Sequence, residues 1–173
     1  TSLQAPDGTT VEIHRDEYGV PHISGDSEVG VFFGQGFAAA QDRLFQMETF
    51  RKAARGETGS LLGEGAREFD RSIRRMFYTE AERVEAYESL PVDLQAALQA
   101  YADGVNTYVD SMAVDPLKYR PQEFLLLGFK DWRVTDSIAL MQFLARNFGG
   151  FGGEELTRLS ELEDNGQEWF DEN

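Results

Sequence analysis

Three residues of this chain could carry out nucleophilic or general-base chemistry: Thr1, His14 and His22. An N-terminal threonine can be a nucleophile with its own amine as the base, but such a residue normally opens a rigid strand. Here polar and turn-forming residues follow it. Histidine is a common general base and metal ligand, but neither histidine has a second ligand at a metal-site spacing. We therefore expect Thr1 to be an ordinary processed end and the two histidines to have structural roles, and the sequence contains no complete catalytic constellation.

A glycine-rich loop at 149–153, followed by Glu154 and Glu155, is the next candidate. Glycine loops can cradle phosphate, but this one lacks the Gly-Lys-Ser/Thr ending, and the two carboxylates would repel phosphate. We interpret it as a hinge or a loop over a pocket. The acidic segment 154–173 carries eight acidic residues and one arginine. Its carboxylates could hold a hard cation, although a solvated acidic face is the simpler interpretation.

The composition excludes several classes of function. The 173 residues include 31 acidic and 16 basic ones, for a net charge of −15, so a nucleic-acid partner is disfavoured. The absence of cysteine excludes disulfides, thiolate metal sites and a cysteine nucleophile. No apolar run is long enough for a membrane span, and apolar residues at 41% are enough to bury a core.

The amino-terminal part is predicted to supply a short β-hairpin. Residues 9–14 (TTVEIH) alternate between β-branched and polar types, which predicts a strand. Turn-forming residues then lead to a second strand at 22–24. Residues 1–8 are predicted to form an arm and a turn.

A long helix is predicted from 28 to 54, where apolar residues recur every three or four positions after a cap at Asp26 or Ser27. Small residues between Gly30 and Ala40 leave one side almost without side chains, so that another backbone can approach closely. Asp42 and Arg43 fall in the apolar stripe, where a charge needs a partner.

Further helices are predicted in the second half of the chain. Thr79 and Glu82 form a capping box for a helix to about 88. Pro91 is placed at the first helical position of a helix to about 111, and Thr135 is expected to cap a helix that ends near 148. The apolar helix faces outnumber what a chain of this size can cover, which indicates a partner surface.

Four motifs spread over most of the chain belong together. The first is RDEYGVPHI (15–23) followed by AQDRLFQME (40–48), and the others are FDRSIRR (69–75), YADGVN (101–106) and PQEFLLLGFKDWRVTD (121–136). A basic stretch at 51–56 follows the first. Together they resemble the small (alpha) chain of penicillin acylases, members of the N-terminal-nucleophile hydrolase superfamily, from about Val11 to Leu156.

The resemblance implies an α+β fold in which this chain is mainly helical with a few short strands. It would form part of a four-layer αββα sandwich completed by a second chain. A precursor would cut itself into this alpha chain (1–173), a spacer and a beta chain that begins with the catalytic serine, so that no catalytic residue lies here. The implied reaction is hydrolysis of the amide bond of a penicillin-type β-lactam or an N-acyl homoserine lactone. The heterodimer would be periplasmic or secreted, its signal peptide already removed.

The resemblance also implies site residues. In penicillin G acylases the corresponding helix ends in Met-Ala-Asn-Arg-Phe, where Met and Phe line the acyl pocket and Arg gates it. Here the segment reads Leu144, Ala145, Arg146, Asn147 and Phe148. Leu144 and Phe148 are therefore expected to line an acyl pocket, and Arg146 or Asn147 to gate it. Because leucine replaces methionine and the Arg and Asn are exchanged, the pattern does not predict phenylacetyl specificity.

A structural calcium ion, shared with the beta chain, is the implied cofactor. Glu155 is the expected ligand, with Glu154 as the alternative, and the remaining ligands would come from the beta chain. The competing hypothesis is a non-enzymatic helical binding module, which predicts a chain that folds and stays soluble alone.

Overall fold

Three short strands form an antiparallel sheet in the order β1-β2-β3. In the computed structural model, which describes residues 1–115, 129–149, 154–167 and 169, the strands are β1 (Ser2–Gln4), β2 (Thr10–Arg15) and β3 (Pro21–Gly25). The predicted hairpin of β2 and β3 is confirmed. The prediction of an arm at 1–8 is wrong for β1, which pairs Leu3 with Val11. Val11 and Ile13 of β2 are buried, because alternate residues of a strand face the same side.

Helices make up most of the remaining described chain. A 3₁₀ helix at Gly63–Ala66 separates the second and third α-helices. The α-helices are α1 (Glu28–Arg55), α2 (Gly59–Leu62), α3 (Arg67–Met76), α4 (Glu80–Glu88), α5 (Val92–Val114), α6 (Val134–Phe148) and α7 (Glu154–Asn165). The predicted class, mainly helical with a few short strands, is confirmed, whereas the four-layer sandwich and the assignment of 1–173 to one alpha-chain portion remain predictions.

The side of α1 with small residues is the centre of the packing. A Cβ atom at Gly34 would lie 2.7 Å from side-chain atoms of both Val11 and Ile23, so the sheet packs directly on this helix. A Cβ atom at Gly36 would lie even closer to the backbone carbonyl oxygen of Tyr101 in α5. The predicted close approach of another backbone is therefore confirmed. The expectation of surplus apolar faces is wrong for this side of α1, because the chain's own hairpin and α5 cover it.

The charged residues expected inside the stripe of α1 lie outside it. Asp42 is exposed and accepts hydrogen bonds from Arg15 at 2.8 and 3.1 Å, and Arg43 is exposed as well. Arg43 has non-helical angles of φ −137° and ψ 17°, which kink the helix. The buried charges of α1 are instead Glu48 and Arg51, one turn or more further along.

Capping residues set the starts of α1 and α4 as the sequence predicts. The Ser27 hydroxyl accepts a hydrogen bond from the Gly30 N–H, and Thr79 and Glu82 form the expected capping box. Pro91 lies at the N-cap of α5, one position earlier than predicted. The prediction that Thr135 caps α6 is wrong: the N-cap is Arg133, whose N–H donates to the carboxylate of Asp136 at 2.9 Å.

In the ranges that the structure describes, no helix is both long and apolar enough to cross a membrane. The first half of the PQEFLLLGFKDWRVTD motif (121–128) and residues 150–153 of the glycine loop lie outside the described residues.

Candidate functional site

The carboxyl-terminal half of α6 presents an apolar stripe. Met141, Leu144 and Phe148 are spaced three and four residues apart, so they share one side of the helix. Their exposed fractions are 49%, 37% and 87%, respectively. The structure thus brings together the two residues expected to line an acyl pocket, Leu144 and Phe148.

The two candidates for a gate lie elsewhere on α6. Arg146 is half a turn away from the stripe, with its guanidinium carbon 5.3 Å from the ring centroid of Phe77 and a long hydrogen bond of 3.5 Å to the Met76 carbonyl oxygen. The Asn147 amide donates to the carbonyl oxygen of Phe143 within the same helix, at 3.0 Å. Arg146 therefore packs on the end of α3, and Asn147 is the nearer of the two to Phe148. Their gating role remains a prediction.

An apolar groove with a volume of about 240 Å³ runs beside the stripe, between α1, α5 and α6. Its walls include two residues from α1, two from α5, Trp132 and four from α6: Phe32, Gln35, Leu98, Tyr101, Trp132, Ser137, Leu140, Met141 and Leu144. Burial raises the pKa of the Tyr101 phenol above its usual 10.0, so this ring stays neutral at physiological pH. Seven of the nine side chains are predominantly apolar, which suits an apolar ligand or an apolar segment of another chain.

A short loop before α6 positions one end of this groove. The Asn106 side chain in α5 pairs with the backbone of Trp132, accepting its N–H at 2.7 Å and donating to its carbonyl oxygen at 3.0 Å. The indole N–H of Trp132 donates to the Ser137 hydroxyl at 3.0 Å. Asn106 therefore fixes the backbone of Trp132 and Ser137 fixes its ring, and the residue is only 3% exposed.

A buried network of charged residues lies at the other end of α6, and sequence reasoning missed it. Glu48 and Arg51 of α1 and Asp136 of α6 are each at most 6% exposed. The available signal was their position: Glu48 and Arg51 follow Leu44 and Met47 in the apolar repeat, where a charge must be paired. Sequence reasoning applied this argument to Asp42 and Arg43 instead.

Asp70 of the FDRSIRR motif is a further buried carboxylate, and its hydrogen bonds are to nearby backbone groups. It accepts hydrogen bonds from the N–H groups of Thr58 and Gly59 at 2.8 and 2.7 Å, which fixes the start of α2. Burial favours the neutral acid, but the two amide donors outweigh it and hold the pKa of Asp70 below its usual 3.8. This residue thus stabilises the fold at the start of α2.

The remaining candidates from the sequence do not form a site with one another. The Thr1 nitrogen donates to the carbonyl oxygen of Ile13 at 2.7 Å. His14 and His22 face each other across the hairpin on its exposed side, and His22 Nε2 lies 3.1 Å from a carboxylate oxygen of Asp16.

Among the described side chains, no three histidines, cysteines or acids are placed to hold a metal ion. Glu154 and Glu155 begin α7, but their side chains lie outside the described residues.

Comparison with known proteins identifies relatives over nearly the whole chain. The family model "Penicillin amidase" matches residues 10–172. Penicillin G acylase of Escherichia coli is 34% identical over 94% of this chain, Penicillin acylase 2 proenzyme of Pseudomonas sp. (strain SE83) is 37% identical over 85%, and acyl-homoserine lactone acylase QuiP of Pseudomonas aeruginosa is 32% identical over 80%. The chain spans only 20%, 18% and 16% of the length of these relatives.

A solved structure has the same fold. It is the thermostable penicillin G acylase from Alcaligenes faecalis in tetragonal form, which superposes with a TM-score of 0.76 at 32% identity. The match covers 95% of this chain and 90% of that chain. The solved chain is thus similar in length to this one, although the curated relatives are about five times as long.

Proposed function

Because the chain belongs to the penicillin amidase family, we propose that it is the alpha-chain portion of an enzyme that hydrolyses the amide bond of an N-acyl substrate. The relatives named above act on two substrate classes by name, penicillins and acyl-homoserine lactones. The acyl group is the part that these substrates share. We therefore assign to this chain a role in acyl-group binding.

The partner in this proposal is a beta chain cut from the same precursor. Two observations support it: one relative is named a proenzyme, and the matching solved chain is about as short as this one. The nucleophile, an N-terminal serine with its amine as the base, is assigned to the beta chain together with the oxyanion-hole donors. No catalytic residue is assigned to this chain.

The observation that carries the proposal is the joint position of Leu144 and Phe148 on the exposed stripe of α6. Exposed apolar stripes of this kind mark surfaces that bind a partner or a ligand. In the heterodimer the beta chain would cover it and leave a pocket into which the acyl group fits. Each methylene buried there would contribute about 0.8 kcal/mol to binding.

A structural calcium ion is part of the proposal, with Glu155, or alternatively Glu154, as the ligand from this chain. A carboxylate oxygen is a suitable ligand for this hard cation. The other ligands are assigned to the beta chain. The location that fits a self-processed acylase of this kind is periplasmic or secreted.

The first test is intact-mass analysis, under denaturing conditions, of the protein purified from its native precursor. It is combined with N-terminal sequencing of any second chain and hydrolysis assays on N-acyl amides. We expect a larger companion chain that begins with serine, and amide hydrolysis by the complex. A single species of 19.5 kDa that is folded and inactive would refute the proposal and favour the binding module.

A further inference from the structure

Family motifs that the acyl site does not use converge at the amino-terminal end of α6. Glu48 closes the AQDRLFQME motif, Arg51 opens the basic stretch that follows it, and Asp136 ends the PQEFLLLGFKDWRVTD motif. All three are buried. Burying charged side chains is costly unless they are paired. We therefore expect these three buried residues to have a specific role.

Arg51 holds the backbone that leads into α6. Its guanidinium donates to the carbonyl oxygens of Lys130 and Asp131 at 2.9 and 3.1 Å and pairs with Glu48. The guanidinium carbon also lies 4.6 Å from the ring centroid of Phe129. An arginine can satisfy several acceptors in one plane while its face stacks on a ring, so Arg51 connects α1 to this whole loop.

Asp136 holds the first turn of α6. One carboxylate oxygen accepts from Arg55 Nε at 2.5 Å, and the other accepts from the Arg133 N–H at 2.9 Å, with Arg51 Nη1 at 3.5 Å. Arg55 also donates to Glu80 at 2.7 Å, so α4 is joined to the same point. A carboxylate that is 1% exposed thus ties α6 to two other helices.

We propose that Arg51, Arg55 and Asp136 are positioning residues that set the direction of α6 and thereby the place of Leu144 and Phe148 in the acyl pocket. This inference rests on the proposed function. Phe148 is twelve residues beyond Asp136, about 18 Å along the helix. A tilt of about 3° at Asp136 would therefore move Phe148 by about 1 Å, a displacement that can change a rate by orders of magnitude.

The test compares Asp136→Asn with Asp70→Asn in the complex of both chains. Both changes neutralise a buried carboxylate, but the hydrogen bonds of Asp70 run to the N–H groups of Thr58 and Gly59 at the start of α2 and not to the charged network that holds α6. The readout is the ratio of kcat/KM for the p-nitroanilides of phenylacetate and decanoate, which a loss of folded protein does not alter. We expect about a tenfold change in this ratio for Asp136→Asn and none for Asp70→Asn.

A second measurement does not need activity. Because this chain has no cysteine, spin labels can be attached at Ala145→Cys on α6 and Val92→Cys on α5, both exposed. We expect the inter-label distance to shift or broaden in Asp136→Asn and to stay unchanged in Asp70→Asn. If Asp136→Asn does not fold, Glu80→Gln is used instead. This change weakens the ion pair between Glu80 and Arg55 at the partly exposed side of the network.

An unchanged ratio and an unchanged distance, with stability lowered as in Asp70→Asn, would overturn the inference and leave the network a purely structural role. If the wild-type complex hydrolyses neither anilide nor any other N-acyl amide, the proposed function fails. The label distance then still decides whether the network directs α6.

Discussion

Helices α1 and α5 approach each other closely at two glycines, and alanine at either position should force them apart. A Cβ at Gly104 would lie 2.9 Å from the carbonyl carbon of Phe33, and one at Gly36 would lie 2.8 Å from that of Tyr101. The carbonyl oxygens are closer still. Against an ordinary contact of 3.4 Å, the carbon distances fall short by 0.5 and 0.6 Å. Both obstacles are backbone atoms, which cannot rotate away as a side chain would.

The expected loss of stability is the difference between two opposing contributions to the free energy of unfolding. Overpacking of a well-packed core costs about 1–3 kcal/mol, and the rigid backbone places these sites at the upper end or beyond. Alanine is favoured over glycine within a helix by about 1 kcal/mol. We therefore expect Gly104→Ala to lower the free energy of unfolding by about 2 kcal/mol. The matched control is Gly65→Ala, where a Cβ meets nothing within 4 Å and the change should stay within about 0.5 kcal/mol.

The assay is urea unfolding of the purified native protein, with amide hydrogen exchange of α1 and α5 as the local readout. The double variant Gly36→Ala/Gly104→Ala sharpens the test. Because one separation of the helices relieves both overlaps, its loss should be clearly less than the sum of the single losses. If Gly104→Ala is as stable as Gly65→Ala, or if the two losses add fully, the argument from backbone contact is refuted.

Three further outcomes follow from the site and the fold. Phe148→Ala should alter acyl preference by about tenfold without preventing self-cleavage, since one apolar contact is worth about 1–3 kcal/mol. An equal effect on every acyl length would contradict a pocket role. If the groove beside α6 takes the acyl chain, kcat/KM should rise by up to about fourfold per methylene, because 0.8 kcal/mol corresponds to that factor. Leu98→Trp should then stop this rise at shorter chains and Val92→Trp should not, and an unchanged length dependence would argue against the groove. Asp70 has a lowered pKa, so its carboxylate stabilises the fold above about pH 4 and loses this effect as pH falls further. The difference in unfolding free energy between wild type and Asp70→Asn should therefore shrink towards zero in acid, and a constant difference from about pH 7 to 2 would contradict this assignment.

Local patterns in the sequence were sufficient for most elements. The alternation at 9–14, the cap at Ser27 and the box of Thr79 and Glu82 each depend on residues within one or two turns, and each prediction is confirmed. β1 could not be found in this way, because only its pairing with β2 makes a strand of a polar stretch. Thr135 was misassigned for a related reason: its hydroxyl donates to Glu80 at 2.8 Å, fifty-five residues away in the sequence.

Because local patterns carry no information on distant contacts, the sequence could not show which apolar helix sides the rest of the chain covers. Periodicity shows which residues share a side of a helix, but it contains no information on what covers that side. In the sequence, the Gly34 side of α1 suggested a partner surface, and the Leu144 side of α6 was expected to line an acyl pocket. The structure covers the first with the chain's own hairpin and leaves Phe148 of the second 87% exposed. The chain spans about a fifth of its relatives' length. If the proposed beta chain corresponds to the rest of such a protein, we expect it to contact the α6 stripe.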